Sequence, residues 1–250
     1  MPEEPQDRAA REAERIRSEY ARRARSDEPG YYSVRRPVNQ FFRAQTIRAC
    51  LAALDRHSLL PLTGKRILDV GCRQGNWLLE FLYWGAEPDM LAGIDLAVPE
   101  IEEARRRLPA ADLHTGDAAR LPFADASFDL VTQFVVFTSV LDQEVRRQIA
   151  AEMLRVVKPG GHILSYDFTV NNPNNPNVRR LAPGELASLF PGCAVDGRRV
   201  TLAPPLARRL VPVSWPIAVA LESIPFLCTH YLAVLRTPTD RPPARAAVRT

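Results

Sequence analysis

Two hydrophobic periods run through the chain. Short apolar runs suited to buried strands occur at Ile67 to Val70, Met90 to Leu96, Ala111 to Thr115, Phe128 to Phe134 and His162 to Asp167. Between them, Asn76 to Trp84, Glu100 to Leu108 and Asp142 to Val157 carry apolar residues at helical spacing. Such an alternation with short connections predicts an α/β fold. Its sheet is doubly wound and mostly parallel, with helices on both faces and right-handed crossovers. Phe128 to Phe134 is nearly all apolar, as a strand buried on both faces should be. The last third breaks the alternation. Asn171 to Asn177 is too rich in Asn and Pro for regular structure; a short helix (Gly184 to Phe190), a strand near Val195 to Leu202 and a final strand from His230 to Arg236 follow. Leu210 to Cys228 is apolar, but Pro212, Pro216 and Pro225 break it too often for a membrane span.

Upstream, Met1 to Glu28 is mostly Ala, Arg and Glu, with high helix propensity but little to bury. A frayed or solvent-bridging helix is expected there. Pro29-Gly30 ends it. After Tyr31 to Phe42, aromatic and basic together, Asn39 is the expected N-cap of an amphipathic helix that presents Phe42, Ile47, Leu51, Leu54 and Leu59 to the sheet.

Bulk composition narrows the class. The 250 residues suffice for one full core with extensions, and 46% hydrophobic with 25% charged residues suits an ordinary globular domain. Six Arg against two acids after Ala203 account for the whole net charge of +4, and no basic stripe interleaved with aromatics signals nucleic acid. Cys50, Cys72, Cys193 and Cys228 are scattered without metal-ligand spacing, which reads as reduced thiols in a cytoplasmic protein and no metal. The charged N-terminus has no apolar core for a secretory signal.

The chemistry concentrates at Lys65 to Leu79, where strand, glycine turn and helix start follow one another. A dinucleotide site wants G-x-G-x-x-G; here the spacing is Gly71-x-x-x-Gly75, Arg73 fills the middle, and no phosphate-loop Lys-Ser/Thr pair follows. Asp69 just before the turn repels phosphate and welcomes a cation. Asp95 ends the second strand, where a carboxylate accepts ribose hydroxyls. Asp117 follows the third, where it can accept an adenine amine. An amino acid, a ribose and a purine along one sheet edge describe S-adenosylmethionine.

Residues 65–167 resemble the class I S-adenosylmethionine-dependent methyltransferases, especially the group similar to quinone-biosynthesis methyltransferases (methyltransferase type 11). The resemblance rests on Ile67-Leu68-Asp69-Val70-Gly71-Cys72-x-x-Gly75, Gly93-Ile94-Asp95 and Gly116-Asp117-Ala118-x-x-Leu121-Pro122-Phe123 with Ser127 to Val131. Glu152-x-x-Arg155-Val156-x-Lys158-Pro159-Gly160-Gly161 completes it. It implies seven strands, the last antiparallel. It also implies a cofactor site of Asp69, Gly71, Cys72 and Gly75 by the methionine, Asp95 and Leu96 by the ribose, Asp117 and Ala118 by the adenine, and Gln133 by the methionine amino group through its backbone. Arg73 departs from the family's usual Gly; it either faces solvent or pairs with the methionine carboxylate.

The expected division is a charged segment 1–28, a lid and helix 29–62, a cofactor-binding domain 63–237 with a substrate-covering insertion 203–228, and a disordered tail 238–250. On the acceptor side, Asp167 at the end of the fifth strand is the candidate base, against a loop-capping alternative. Tyr31, Tyr32, Arg35, Asn39, Phe137 and Asn171 are candidate substrate contacts. His57, His114 and His162 read as structural; His230 can face the pocket, although packing is its favoured reading. The expected activity is O-methylation of a small hydroxylated molecule, a sugar or natural-product scaffold. The alternatives are C-methylation of a quinone-like or lipid-linked acceptor and a cofactor-binding module without catalysis. A dehydrogenase is disfavoured by the missing middle Gly. Membrane-surface contact through the insertion is a secondary expectation, and the chain is expected to be a monomer or homodimer.

Overall fold

The computed structural model describes residues 5–26, 33, 35–173 and 175–240. Its centre is a seven-stranded sheet. The strands are β1 (Ile67–Val70), β2 (Leu91–Asp95), β3 (Asp112–Thr115), β4 (Phe128–Phe134), β5 (Val157–Phe168), β6 (Ala194–Leu202) and β7 (Cys228–Arg236), in the order β3-β2-β1-β4-β5-β7-β6. β1 to β5 are parallel, and β7 enters antiparallel between β5 and β6. The order reverses between β1 and β4, which opens a crevice at their carboxyl ends.

Helices cover both faces. One core cluster joins the sheet to α1 (Pro5–Ser26), α6 (Gln143–Val156) and α7 (Pro183–Leu189); the opposite cluster joins it to α2 (Pro37–Arg56), α3 (Asn76–Tyr83) and α4 (Val98–Arg107). The one-turn α5 (Val136–Ser139) follows β4 directly. In the 203–228 insertion, α8 (Pro204–Leu210) and α9 (Trp215–Glu222) share a small third cluster with Phe41 and Leu202. Pro204, Pro205 and Pro216 sit in first helical turns, Pro225 opens a 3-10 turn at Pro225–Leu227, and Pro212 lies in the turn between α8 and α9. No helix among the described residues is long and apolar enough to cross a membrane.

Three local expectations are corrected. First, α1 is packed rather than frayed: Ala9, Glu12, Ala13 and Ile16 form one buried stripe. Small Ala side chains let the helix approach closely. The buried Glu12 carboxylate accepts the backbone N–H groups of Leu141 and Asp142 and the guanidinium of Arg15. Burial opposes its ionisation, but these partners hold its carboxyl below the usual range. Second, the α2 N-cap is Arg36, not Asn39, because Pro37 takes the first helical position. Asn39 lies inside the first turn and donates from Nδ2 to Ser33 O at 2.9 Å. Third, Lys158 to Gly161 belongs to a bulged start of β5, where pairing with β4 shifts between Phe128 and Leu130. Lys158 precedes Pro159 and is thereby pushed from helical to extended backbone.

Candidate active site at the carboxyl ends of the strands

The turn after β1 is a short loop closed against β2. Both Gly71 N and Cys72 N donate to Ile94 O, at 2.8 and 3.1 Å. Gly71 has φ 75°, and a Cβ there would lie 2.6 Å from Val136 Cγ2, so the turn and the end of β4 meet through a glycine. Arg73 has φ 47°, a left-handed conformation that glycine enters freely. Its backbone N–H donates to Asp95 Oδ2 at 3.0 Å, and its guanidinium donates to Glu100 Oε1 at 3.0 Å. Of its two expected roles, the solvent-facing one fits: the side chain is 62% exposed and pairs at the surface with Glu100 of α4.

Asp69, Asp95 and Asp117 stand at three neighbouring strand ends, as their register requires. Asp69 is 1% exposed and accepts a 2.8 Å bond from Thr132 Oγ1. Burial pushes its carboxyl up to about 7, against the Thr132 bond and with help from the neighbouring Asp95. Asp95 accepts from Arg73 N and Ala97 N, yet burial still raises its pKa. Asp117 Oδ1 accepts Ala119 N at 2.9 Å. Glu100 Oε2 beside this group is buried without a hydrogen-bond partner. One unsatisfied, desolvated oxygen of Glu100 beside these acids is what a ribose hydroxyl would complete, and the acids suit a cationic amino acid. The donor set therefore fits S-adenosylmethionine. Cys72 contributes packing: its sulfur would lie 2.7 Å from a Cβ at Gly93, and burial raises its thiol pKa. Leu96 and Ala118 pack against the core cluster that includes α1. No group of three or more His, Cys, Asp or Glu among the described residues could hold a metal.

Above these strand ends lies α1. Arg17 Nε donates to Leu96 O at 3.4 Å, Arg15 donates to Ser139 O at 2.6 Å, and the Tyr20 hydroxyl lies 3.4 Å from Ser139 Oγ. The helix thus bridges the loops after β2 and β4, and only about 10 Å³ of space remains between it and Ser139. The expected lid began at Tyr31, which with Tyr32 falls outside the described residues; the roof described here is α1. Its low hydrophobicity hid this role.

The carboxyl end of β4 is held by a buried network. Gln133 donates to Ser165 Oγ at 2.6 Å and to Asp167 Oδ2 at 2.5 Å, and its own Oε1 accepts Val136 N. Asp167 Oδ1 accepts Thr138 N at 3.0 Å. Between Gln133 and Thr138, Val135 has φ 64°, a strained conformation for a β-branched residue. Asp167 is 2% exposed; burial raises its pKa to about 6 against these bonds. Oδ1 holds α5 and Oδ2 holds Gln133 of β4, so the geometry matches the loop-capping alternative for Asp167 rather than the base. Phe137 is fully buried against Phe190 and contacts the core rather than an acceptor. Asn171 Oδ1 accepts Arg180 N, pinning its own loop. Arg35 is exposed, and its N–H meets Ser33 Oγ.

The acceptor side instead shows aromatic rings. Trp77 stacks on Phe134 at 3.8 Å, and Phe134 leans on Tyr166. His230, opposite Phe168 in the β5–β7 ladder, stacks on Tyr166 at 4.7 Å and packs on Phe168 at 4.0 Å. It is 6% exposed; burial lowers its pKa to about 3, which keeps it neutral. Its Nδ1 lies 3.3 Å from Thr229 Oγ1, and Nε2 makes no hydrogen bond among the described residues, yet is not sealed from solvent. The only sequence signal for His230 was its place at the start of the last strand.

Comparison with known proteins agrees with this geometry. Residues 67–161 match the methyltransferase domain family. A phthiotriol/phenolphthiotriol dimycocerosates methyltransferase of Mycobacterium ulcerans is 37% identical over 115 residues, 45% of this chain and 41% of that protein. A demethylmenaquinone methyltransferase of Renibacterium salmoninarum is 36% identical over 130 residues, 50% of this chain and 49% of that protein. The chain thus spans about half the length of the curated relatives it matches. An S-adenosylmethionine-dependent methyltransferase structure from Archaeoglobus fulgidus superposes with TM-score 0.55 at 18% identity, over 76% of this chain and 94% of that one. That likeness establishes the fold. Residues 67–161 thus carry a match to a methyltransferase domain, on a sheet whose strand order is shared with methyltransferase structures.

Proposed function

We propose that the protein transfers the methyl group of S-adenosylmethionine to a hydroxyl oxygen of a small organic acceptor. The observation that carries the donor half is the row Asp69, Asp95 and Asp117 at successive strand ends, beside the buried and unpartnered Oε2 of Glu100. When bound, the cofactor supplies an electrophilic methyl carbon on a sulfonium. Asp95 and Glu100 accept its ribose hydroxyls, Asp117 its adenine amine, and ionised Asp69 supplies countercharge near the methionine. α1 excludes water from that edge. Displacement at a methyl carbon needs alignment above all, and the Gln133–Asp167 network holds the β4 turn that provides it. His230, held neutral, can accept a hydrogen bond at Nε2 from the acceptor's hydroxyl and orient it, with Phe134, Tyr166 and Phe168 as the apolar wall beside it, and the hydroxyl proton leaves to solvent.

The test is transfer of labelled methyl groups from S-adenosylmethionine into a panel of phenols, sugars and quinols. His230→Phe, which removes that acceptor, should lower kcat about tenfold, the worth of one orienting hydrogen bond of about 1.4 kcal/mol, and leave S-adenosylhomocysteine affinity unchanged. Unaltered kcat would remove His230 from the chemistry. A second reading, carbon methylation of a quinone-like or lipid-linked acceptor, draws support from the named relatives; it predicts label on ring carbon. Cofactor binding with no transfer to any acceptor class would favour a binding module.

A further inference from the structure

The 203–228 insertion turns an apolar side outward. In α9 the residues that share the outer face, Pro216, Ile217 and Ala220, are all exposed and all apolar, while Ala218 faces the third core cluster. The helix carries one charge, Glu222, and it points inward. Its side chain is 8% exposed, and its carboxylate accepts from Arg48 of α2 at 2.6 Å and from Thr201 N at 3.3 Å. A surface helix of a globular domain has the opposite arrangement. Exposed apolar residues continue on both sides of α9: Val213 in the preceding turn is 82% exposed, and Phe226 in the following 3-10 turn 77%. α9 packs on α8 and on that 3-10 turn, which joins these residues into one surface segment.

A second feature is the sign of the charge. Within 203–228 the charged residues are Arg208, Arg209 and Glu222. Both arginines are exposed and the acid is turned inward, so the outer surface of the insertion is purely cationic and apolar. Trp215 rests edge-on against Phe41 at 5.2 Å and stays partly open, an amphipathic ring suited to a membrane–water boundary. A second copy of the chain fits this surface badly. A two-fold contact sets a patch against itself, which brings arginines together with no outward acid to receive them. An anionic lipid surface meets both halves of the pattern, taking apolar side chains below the headgroups and guanidiniums among them.

From this arrangement we infer that the insertion docks on the surface of an anionic membrane, with Val213, Ile217 and Phe226 entering the acyl boundary and Arg208 and Arg209 at the headgroups. The contact lies on the membrane and does not cross it, since no helix among the described residues is long and apolar enough to do so. β7 begins at Cys228, directly after this surface, and carries His230 to the aromatic wall, so lipid contact and acceptor side share one segment of chain. The docking does not rest on the methyl-transfer reading.

The test is sedimentation of the full chain with phosphatidylcholine vesicles, with or without phosphatidylglycerol. Binding should require phosphatidylglycerol and weaken as salt is raised. V213S/I217S/F226S and R208Q/R209Q should each lose at least tenfold in vesicle affinity. Tyr83→Ser, at an exposed aromatic of α3, and R106Q/R147Q, at exposed arginines of α4 and α6, are the matched controls and should bind as the parent does. Every altered side chain is exposed, and an unchanged Tm verifies that each variant folds. In the parent, vesicles of brominated phosphatidylglycerol should quench tryptophan fluorescence, and W215F should lose most of that quenching. No binding of the parent to phosphatidylglycerol vesicles, or equal losses in the controls, would overturn the docking site. So would a lipid-free dimer, seen by sedimentation velocity, that V213S/I217S/F226S abolishes, since that assigns the surface to a second copy.

Discussion

Asp69 is the residue at which burial and charge are most at odds. Held near 7 rather than in the usual carboxylate range, it is half-protonated at neutral pH when nothing cationic faces it. Its pKa is raised on folding, so the stability it contributes is complete below the unfolded value near 4 and is lost as pH rises through about 7. Asp69→Asn should therefore gain stability relative to the parent between pH 4 and 7, by a few kcal/mol at most, in denaturant titrations at both ends. A cation beside the ionised carboxylate reverses that cost. S-adenosylmethionine affinity should accordingly rise with pH up to about 7 in the parent and stay flatter in Asp69→Asn, read by calorimetry. Groups near Asp69 that enter the same balance are Asp95 and Cys72. Asp95 holds the turn through Arg73 N and Ala97 N; on the proposed ribose contact, Asp95→Ala should weaken S-adenosylhomocysteine by ~1.5–3 kcal/mol. Unchanged affinity would sink the ribose assignment. Arg73, the family departure, is explained by its surroundings: the left-handed backbone is held by Asp95 and the side chain by Glu100.

Among the elements, α1 shows most clearly what the hydrophobic pattern misses. Its buried stripe uses two Ala, one Ile and a Glu, a face set apart along the helix but of low overall hydrophobicity, and it packs on α6 and reaches Ser139 of α5. Because it spans the loops after β2 and β4, its docking should strengthen when a ligand joins those loops. Trypsin cleavage at Arg17, Arg22 and Arg23 is expected to slow when S-adenosylhomocysteine is added, and Ile16→Asp should abolish the protection. Equal cleavage rates with and without ligand in the parent protein would separate α1 from the donor edge. Gln133 and Asp167 teach a related lesson at the β4 and β5 ends. As polar residues at strand ends they read as ligand contacts; in the structure they spend their hydrogen bonds on holding Val135 and α5 in place.

Across the whole molecule, the reversal of strand order between β1 and β4 gathers the three acids, the glycine turn and the aromatic wall on one edge. A ligand that binds only this folded edge stabilises it by mass action, about 2.7 kcal/mol at a hundredfold excess over Kd. For a chain of this size that corresponds to a Tm increase of roughly 5–11 °C. S-adenosylhomocysteine should produce it in a thermal shift, and NAD should not, since Arg73 and Asp69 disfavour a pyrophosphate. The reverse result would restore the dehydrogenase alternative.

What the sequence determined by itself is the sheet and the placing of three acids along its edge. Strand runs, helix periods and the order Asp69, Asp95, Asp117 are local properties, and a parallel sheet with short right-handed connections converts them into one edge with few alternatives. Contacts between distant segments decided the remainder. Whether Asp167 is a base or a brace depends on Gln133 and Thr138 reaching it, whether His230 is open depends on how β7 lies beside β5, and which side of α9 faces outward depends on Arg48 of α2 reaching Glu222. Such pairings join residues 29 to 174 positions apart, and no periodicity along the chain encodes them.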